Sequence, residues 1–174
     1  MDLLNIAEST SSGGQYPNEN WVAYVYVSDS LSFATNNATT KEMNALLSVN
    51  IPATFNYGLR NFNDQSTSGN NVEMPITQMG NVQADLEVSM VGNFVCNSGN
   101  IPRANIQWAI SDVGYGNAAS HSMTASPVDT NIFVGHGTAG TPSPIKTLYW
   151  NVAIPSEGLA GTCTGVVAIT AIAH

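Results

Sequence analysis

Two histidines in small-residue loops are the first candidates for chemistry in this sequence. His121 stands in a serine-rich stretch, and His136 opens the sequence HGTAG, which invites comparison with hydrolase loops. No serine lies in a strand–turn–helix nucleophile elbow, and a zinc site would need these histidines together with a free cysteine thiol. We therefore expect no catalytic residue and no metal site, and we do not expect an enzyme.

Calcium is the next possibility, because carboxylates in polar loops are its usual ligands. Asp64, Glu73 and Asp112 lie in polar segments and could supply oxygens. However, the acidic residues are dispersed, and the closely repeated carboxylates of a calcium loop do not occur. The sequence predicts no cofactor, with calcium at these three residues as the alternative.

Cys96 and Cys163 are the two cysteines of the chain. An even count in a chain of extracellular character favours a disulfide. Within one chain it would close a loop of about 68 residues and stabilise the fold by roughly 4 kcal/mol. Two buried thiols, or a cross-link between chains, are the alternatives that the sequence leaves open.

Residues 21–27 (WVAYVYV) are the candidate for self-association. They are rich in aromatic and β-branched residues, which predicts a strand, and both faces of that strand are apolar. One face would pack on the domain and the other on a neighbouring molecule, through Trp21, Tyr24 and Tyr26. The alternative for Trp21 is a place in the core. Asn37 begins the sequon NAT and is a predicted glycosylation site.

The composition excludes several classes of function. The formal net charge is −8, and the four basic residues are scattered along the 174 residues, so nucleic acid and anionic membrane surfaces are not expected partners. Only 9% of residues are charged, which is typical of secreted and cell-surface β proteins. No apolar run is long enough to span a membrane as a helix. We expect an extracellular or cell-surface location, with a signal peptide removed before residue 1.

Alternating apolar and polar residues predict short strands along most of the chain. Residues 1–45 are predicted to be an N-terminal arm with one strand, possibly exchanged with a neighbour, and residues 46–174 a β-sandwich domain. Residues 39–47 are compatible with a short helix, with a strand from Ala45 to Ile51 as the alternative. The other predicted strands cover residues 53–58, 72–77 (interrupted by Pro75 and hence an edge), 82–90 with its acidic side toward water, 106–110 and 131–134.

The last two strands are the clearest. Leu148, Trp150, Val152 and Ile154 alternate with polar or small residues, and a second alternating run follows over residues 163–171. Pro155 ends the first run, and two glycines lie in the connection. We predict an antiparallel hairpin that closes a sandwich.

From about residue 49 onward the motifs resemble the immunoglobulin-like sandwich domains of archaeal and bacterial cell-surface proteins. The residues that match three of their strand motifs are Ile76, Thr77, Gly80, Asn81 and Ala84; Ile101, Pro102, Ile106 and Trp108; and Tyr149, Trp150, Ile154, Pro155, Ala160, Gly161, Gly165, Thr170 and Ala171. Cys163 stands where an aromatic residue is usual, which supports a covalent partner for it. The resemblance implies an all-β, immunoglobulin-like antiparallel β-sandwich with an N-terminal extension.

The predicted function is that of a non-catalytic extracellular structural subunit of an S-layer, sheath or fibre, which self-associates through strand edges. The partner is then the chain itself, as a homopolymer. The alternative is an adhesin or carbohydrate-binding module, whose partner would be a surface glycan. Loops rich in Asn, Gly and Tyr support this second function.

Overall fold

The structure, a computed structural model, describes residues 9–11, 16–28, 31–137 and 143–173. These residues form thirteen strands and one short 3-10 helix at Arg103–Asn105, with no α-helix among them. The strands are β1 (Trp21–Ser28), β2 (Phe33–Lys41), β3 (Val49–Asn50), β4 (Val72–Gln78), β5 (Ala84–Ser89), β6 (Phe94–Ser98), β7 (Asn100–Ile101), β8 (Ile106–Ala109), β9 (His121–Ser122), β10 (Val128–Asp129), β11 (Ile145–Val152), β12 (Ala160–Thr164) and β13 (Ala168–Ala173).

The strands are arranged in four antiparallel sheets. The largest has five strands in the order β3–β4–β11–β8–β9, and two smaller ones have the orders β10–β5–β13 and β12–β6–β7. The fourth contains only β1 and β2. This all-β, sandwich-like architecture confirms the predicted fold class.

One hydrophobic core lies between the five-stranded sheet and the two three-stranded sheets. Leu148, Trp150 and Val152 of β11 face it and are fully buried, as their alternation predicts. Phe55 stacks on Trp150 with ring centroids 5.2 Å apart. From the opposite layer come buried apolar side chains of β5 and β6, namely Leu86, Val88, Phe94 and Cys96.

The predicted closing hairpin is wrong. β11 pairs with β4 and β8, whereas β12 pairs with β6 and β13 pairs with β5. The chain therefore crosses from one layer to the other over residues 153–159. Alternation of apolar and polar residues indicates that one face of a strand is buried, but it does not identify the strand that pairs with it.

Three other segments also differ from expectation. The predicted helix at residues 39–47 is wrong. Residues 39–41 belong to β2, and the amide and carbonyl groups of residues 42–48 bond to residues 9–11 and 79–81 instead of to one another, so the alternative strand shrinks to β3. Residues 53–58 form no strand, since Phe55 and Tyr57 pack onto the core without a ladder partner. In residues 131–134 the left-handed backbone of Asn131 (φ 52°) interrupts the extended run, which leaves one bridge between Val134 and Ala84.

The acidic side of β5 does not simply face water. Asp85 is buried, and only Glu87 is partly exposed. The Asp85 carboxylate accepts a hydrogen bond from the amide of Leu86 (2.7 Å). A period of two therefore identified the strand correctly but did not reveal that its second face is covered.

Candidate assembly surface

β1 and β2 form an antiparallel ribbon that is separate from the other sheets. Their pairing runs from Trp21 opposite Lys41 to Ser28 opposite Phe33, with a bulge between Val22 and Tyr24. Neither strand pairs with any other strand among the described residues. Both outer edges of this ribbon, which we call the β1–β2 ribbon, therefore present main-chain groups that can accept a further strand.

The ribbon carries the residues predicted for self-association. The strand predicted at residues 21–27 is confirmed as β1. Trp21 is 46% exposed, so its alternative place in the core is wrong. The side chains of Tyr24, Tyr26 and Asn37 lie outside what the structure describes, and their roles in self-association and glycosylation stay predictions.

Main-chain and hydroxyl contacts hold the base of the ribbon. The amide of Thr10 donates to the carbonyl oxygen of Met43 (2.9 Å), and the amide of Met43 donates to the Thr10 hydroxyl (2.7 Å). The Ser11 hydroxyl accepts from the amide of Ala45 (3.0 Å). Ser9 and Thr10 are buried in this contact. The segments that precede and follow the ribbon are thus joined side by side.

Asn81 and Gly80 attach this base to the sandwich. The buried Asn81 side chain accepts from the amide of Leu46 (2.7 Å) and donates to the carbonyl oxygen of Asn44 (3.1 Å). The amide of Gly80 donates to the carbonyl oxygen of Ser48 (3.0 Å). A Cβ atom at Gly80 would overlap the Leu46 carbonyl oxygen, so only glycine permits this approach. Gly80 and Asn81 belong to the first of the three strand motifs that resemble those of immunoglobulin-like domains, yet the sequence predicted only a turn at these two positions.

The predicted disulfide is confirmed within one chain. Cys96 of β6 lies directly opposite Cys163 of β12 and is bonded to it across 67 positions of sequence. Neither thiol is free, so the alternatives of buried thiols and an interchain cross-link are wrong, and no cysteine can join the histidines in a zinc site. The bond links the last part of the chain to the strand that lies beside the core.

The other candidate ligands do not converge. No group of three or more His, Cys, Asp or Glu side chains suited to a metal occurs among the described residues. His121 stacks on Trp108 at 4.6 Å between ring centroids, and His136 contacts the carbonyl oxygen of Gly137. Asp64 accepts from the amide of Asn61 (2.7 Å). These side chains therefore hold local structure together.

Asp112 joins two loops at one end of the five-stranded sheet. Its carboxylate accepts from the amide of Gly69 (3.0 Å) and from the side chain of Asn71 (2.7 Å). The hydrogen bond from Gly69, and then that from Asn71, lowers the pKa of this exposed carboxyl group. The negative charge thus stabilises a loop junction, where the sequence had suggested a calcium ligand.

Tyr57 is a partly buried polar residue that the sequence did not single out. Its hydroxyl donates to the carbonyl oxygen of Asn151 (3.3 Å) in β11. Burial strongly raises the pKa of the Tyr57 hydroxyl, and the nearby Arg60 opposes this only in part. The phenol is therefore a neutral tie between residues 53–58 and the central strand.

Comparison with protein-family models, with curated proteins and with solved structures found no match. The described residues contain no helix long and apolar enough to cross a membrane.

Proposed function

We propose that this chain is a non-catalytic structural subunit of a cell-surface assembly, such as an S-layer, sheath or fibre, and that it self-associates through strand edges. The observation that carries the proposal is the β1–β2 ribbon, whose two outer edges have no partner strand among the described residues. A chain with one hydrophobic core and a separate strand pair is suited to linking one subunit to the next.

The dimensions of the ribbon support this function. Its strands have eight and nine residues, which corresponds to about 27–30 Å of extended chain. A two-stranded ribbon is only marginally stable alone in water. Addition of a strand from a neighbour would satisfy open main-chain groups and cover the exposed Trp21 and Val22.

Several features of the chain support an extracellular location. A disulfide persists in oxidising compartments, and the Cys96–Cys163 bond is of this kind. The surface contains few charged residues, as in secreted β proteins. The resemblance to immunoglobulin-like cell-surface domains, drawn from the motifs of the sequence, agrees with this assignment.

A second function, an adhesin or carbohydrate-binding module, is favoured by the loops at one end of the sheet. Asp112, Gly69 and Asn71 form one junction there, and the amide of Tyr115 donates to the carbonyl oxygen of Ser66 (2.8 Å). Ordered loops with amide and aromatic side chains suit sugar recognition. A glycan array with the purified protein tests this function.

Removal of the ribbon tests the assembly function. Because Trp21 and Lys41 are paired, residues 21–41 can be replaced by a short Gly-Ser linker while residues 9–11 and 43–45 keep their contacts. We expect full-length protein to form polymers or sheets in electron microscopy and light scattering, and the excised protein to lose them.

Point variants supply the matched control. Replacing the exposed Trp21 and Val22 by serine should weaken assembly, whereas Leu59→Ser, which removes a fully exposed apolar side chain from a loop, should not. Circular dichroism and thermal melting verify that each variant is folded. A full-length protein that stays monomeric, or an excised protein that assembles equally well, contradicts the proposal.

A further inference from the structure

β11 is paired on only one side along its first half. β8 ends at Ala109, opposite Tyr149, whereas β11 begins at Ile145. Residues 145–148 therefore pair with β4 but have no strand beside them on the other side among the described residues. A groove of about 440 Å³ lies there, with Ile110 and Asn131 on its far wall. We call this groove the β11 slot.

The main chain of β11 points open hydrogen-bonding groups into the slot. In an antiparallel sheet, successive residues direct their amide and carbonyl groups to opposite neighbours. Pro144 accepts from Gln78 on the β4 side, and Ala153 donates to Asn105 on the β8 side. By this alternation Ile145 and Thr147 face the slot, and no hydrogen bond to them from a described residue is present. An extended peptide could pair with both residues.

The side chains around the slot indicate which peptide fits. Ile110 and Ile145 are 54% and 60% exposed, so apolar side chains of an added strand would find partners on both walls. Lys146 also lines the slot and forms no ion pair with a described residue. In a chain of net charge −8, a basic residue here favours an occupant that is apolar and acidic.

Residues 1–8 of the same sequence have this chemistry. They read MDLLNIAE, with Asp2 and Glu8 as the charged residues and Leu3, Leu4 and Ile6 between them. These residues lie outside the described part of the chain. They lead directly into the buried Ser9 and Thr10 at the base of the ribbon. Fully extended, eight residues reach about 26–29 Å, which is long enough to serve as a strand for a neighbour.

A neighbour is a better recipient than the same chain. The slot lies on the far side of β11, three strand positions away from β3. At the usual spacing of strands, the distance from β3 to the slot is about 14 Å. A segment that starts near β3 would use about four of its residues to cross this distance. The crossing would use residues 5–8, which include Ile6 and Glu8, and leave only residues 1–4 of this segment to pair along the slot. A second copy can offer the whole segment.

We infer that residues 1–8 of one copy add as a strand to the β11 slot of a second copy, an inference that rests on the proposed self-association and names its acceptor site. Mutual exchange would close a dimer, and one-way exchange would extend a chain of subunits. The ribbon and the slot are separate elements, so each can be removed without the other.

Peptide binding tests the slot directly. A fluorescein-labelled peptide MDLLNIAE is titrated into protein that lacks residues 1–8, and anisotropy is measured. T147P removes an amide that faces the slot and no hydrogen bond to β4, whereas T147V keeps that amide. We expect saturable binding to the truncated protein and to its T147V variant, and loss of binding in T147P. An absence of saturable binding, or equal binding to T147P and T147V, overturns the inference.

A charge reversal keeps the test decisive if T147P fails to fold. K146E should bind the peptide several-fold more weakly, and a peptide with lysine in place of Asp2 and Glu8 should recover the loss. Equal affinity of K146E and the truncated parent for the original peptide would contradict the assigned role of Lys146.

Mixing two variants tests exchange between copies. Protein without residues 1–8 lacks the donor, and K146E,T147P lacks the acceptor, so neither should form exchanged dimers alone. Their mixture should yield a heterodimer in native mass spectrometry. A mixture that stays monomeric although the peptide binds would show insertion within one chain and overturn exchange. Ribbon-excised protein keeps residues 1–8 and the slot, so dimers that persist in it support the exchange, while the loss of larger polymers from it tests the proposed function separately.

Discussion

Removal of the disulfide should cost the fold about 4 kcal/mol. Cys96 and Cys163 lie opposite each other in β6 and β12, so the bond closes most of the second half of the chain into a loop with a sequence separation of 67. In the chain-entropy model, a loop of this length restricts the unfolded ensemble by about 4 kcal/mol at 25 °C. The variant C96A,C163A restores this conformational freedom to the unfolded chain.

The structure shows which strand pairing of β12 remains when the disulfide is removed. β12 pairs with β6 and with no other described strand, so the disulfide is the one covalent bond between the side chains of these two strands. With a urea dependence of about 2 kcal/mol per molar, a loss of 4 kcal/mol lowers the unfolding midpoint by about 2 M.

Urea unfolding followed by tryptophan fluorescence is the assay, because the buried Trp150 reports the core. Reduced wild-type protein should unfold near the midpoint of the double variant. V95A changes an exposed neighbour of Cys96 in β6 and serves as the control with little expected effect. A midpoint shift below about 0.5 M in the double variant would refute the loop-closure argument.

Two further predictions concern the base of the ribbon and the Tyr57 hydroxyl. N81A removes both side-chain hydrogen bonds to residues 44 and 46, which lowers the stability of this attachment by about 2 kcal/mol. Amide hydrogen exchange at residues 44–48 should therefore accelerate, while exchange in β11 stays unchanged. Equal protection of residues 44–48 in N81A and wild type would contradict the anchoring role of Asn81. Because the pKa of Tyr57 is raised in the folded protein, its stabilising effect is complete below about pH 10 and is lost as the pH rises above that value. Y57F should flatten the alkaline decline in thermal stability, and an identical decline in both proteins would exclude Tyr57 as its source.

The elements that the sequence predicts well depend on local information. Alternation identified β1, β4, β5, β8 and β11, since one buried face imposes a period of two on any strand. Pro75 was expected at an edge. β3 reaches only residues 77 and 78 of β4, so no described strand pairs with Pro75 on the side away from β11, although β4 itself lies between two strands.

The elements that it predicts poorly depend on partners that are distant in the chain. Residues 42–48 satisfy the local rules for a helix, but Asn81 and residues 9–11 offer hydrogen bonds that only the folded chain brings near. β2 contains few apolar residues and pairs with β1 to form the ribbon, so its own pattern did not distinguish it from a loop.

The sequence by itself determined the all-β class, the central buried strand β11 and a favoured pairing of its two cysteines, because alternation, composition and an even cysteine count are properties of the linear chain. Only the tertiary structure decided that β11, β12 and β13 belong to three different sheets, that the ribbon stands apart, and that residues 145–148 have one open side. The physical reason is that every main-chain group on a strand can pair with any other strand, so the choice among partners is made by how the layers pack together.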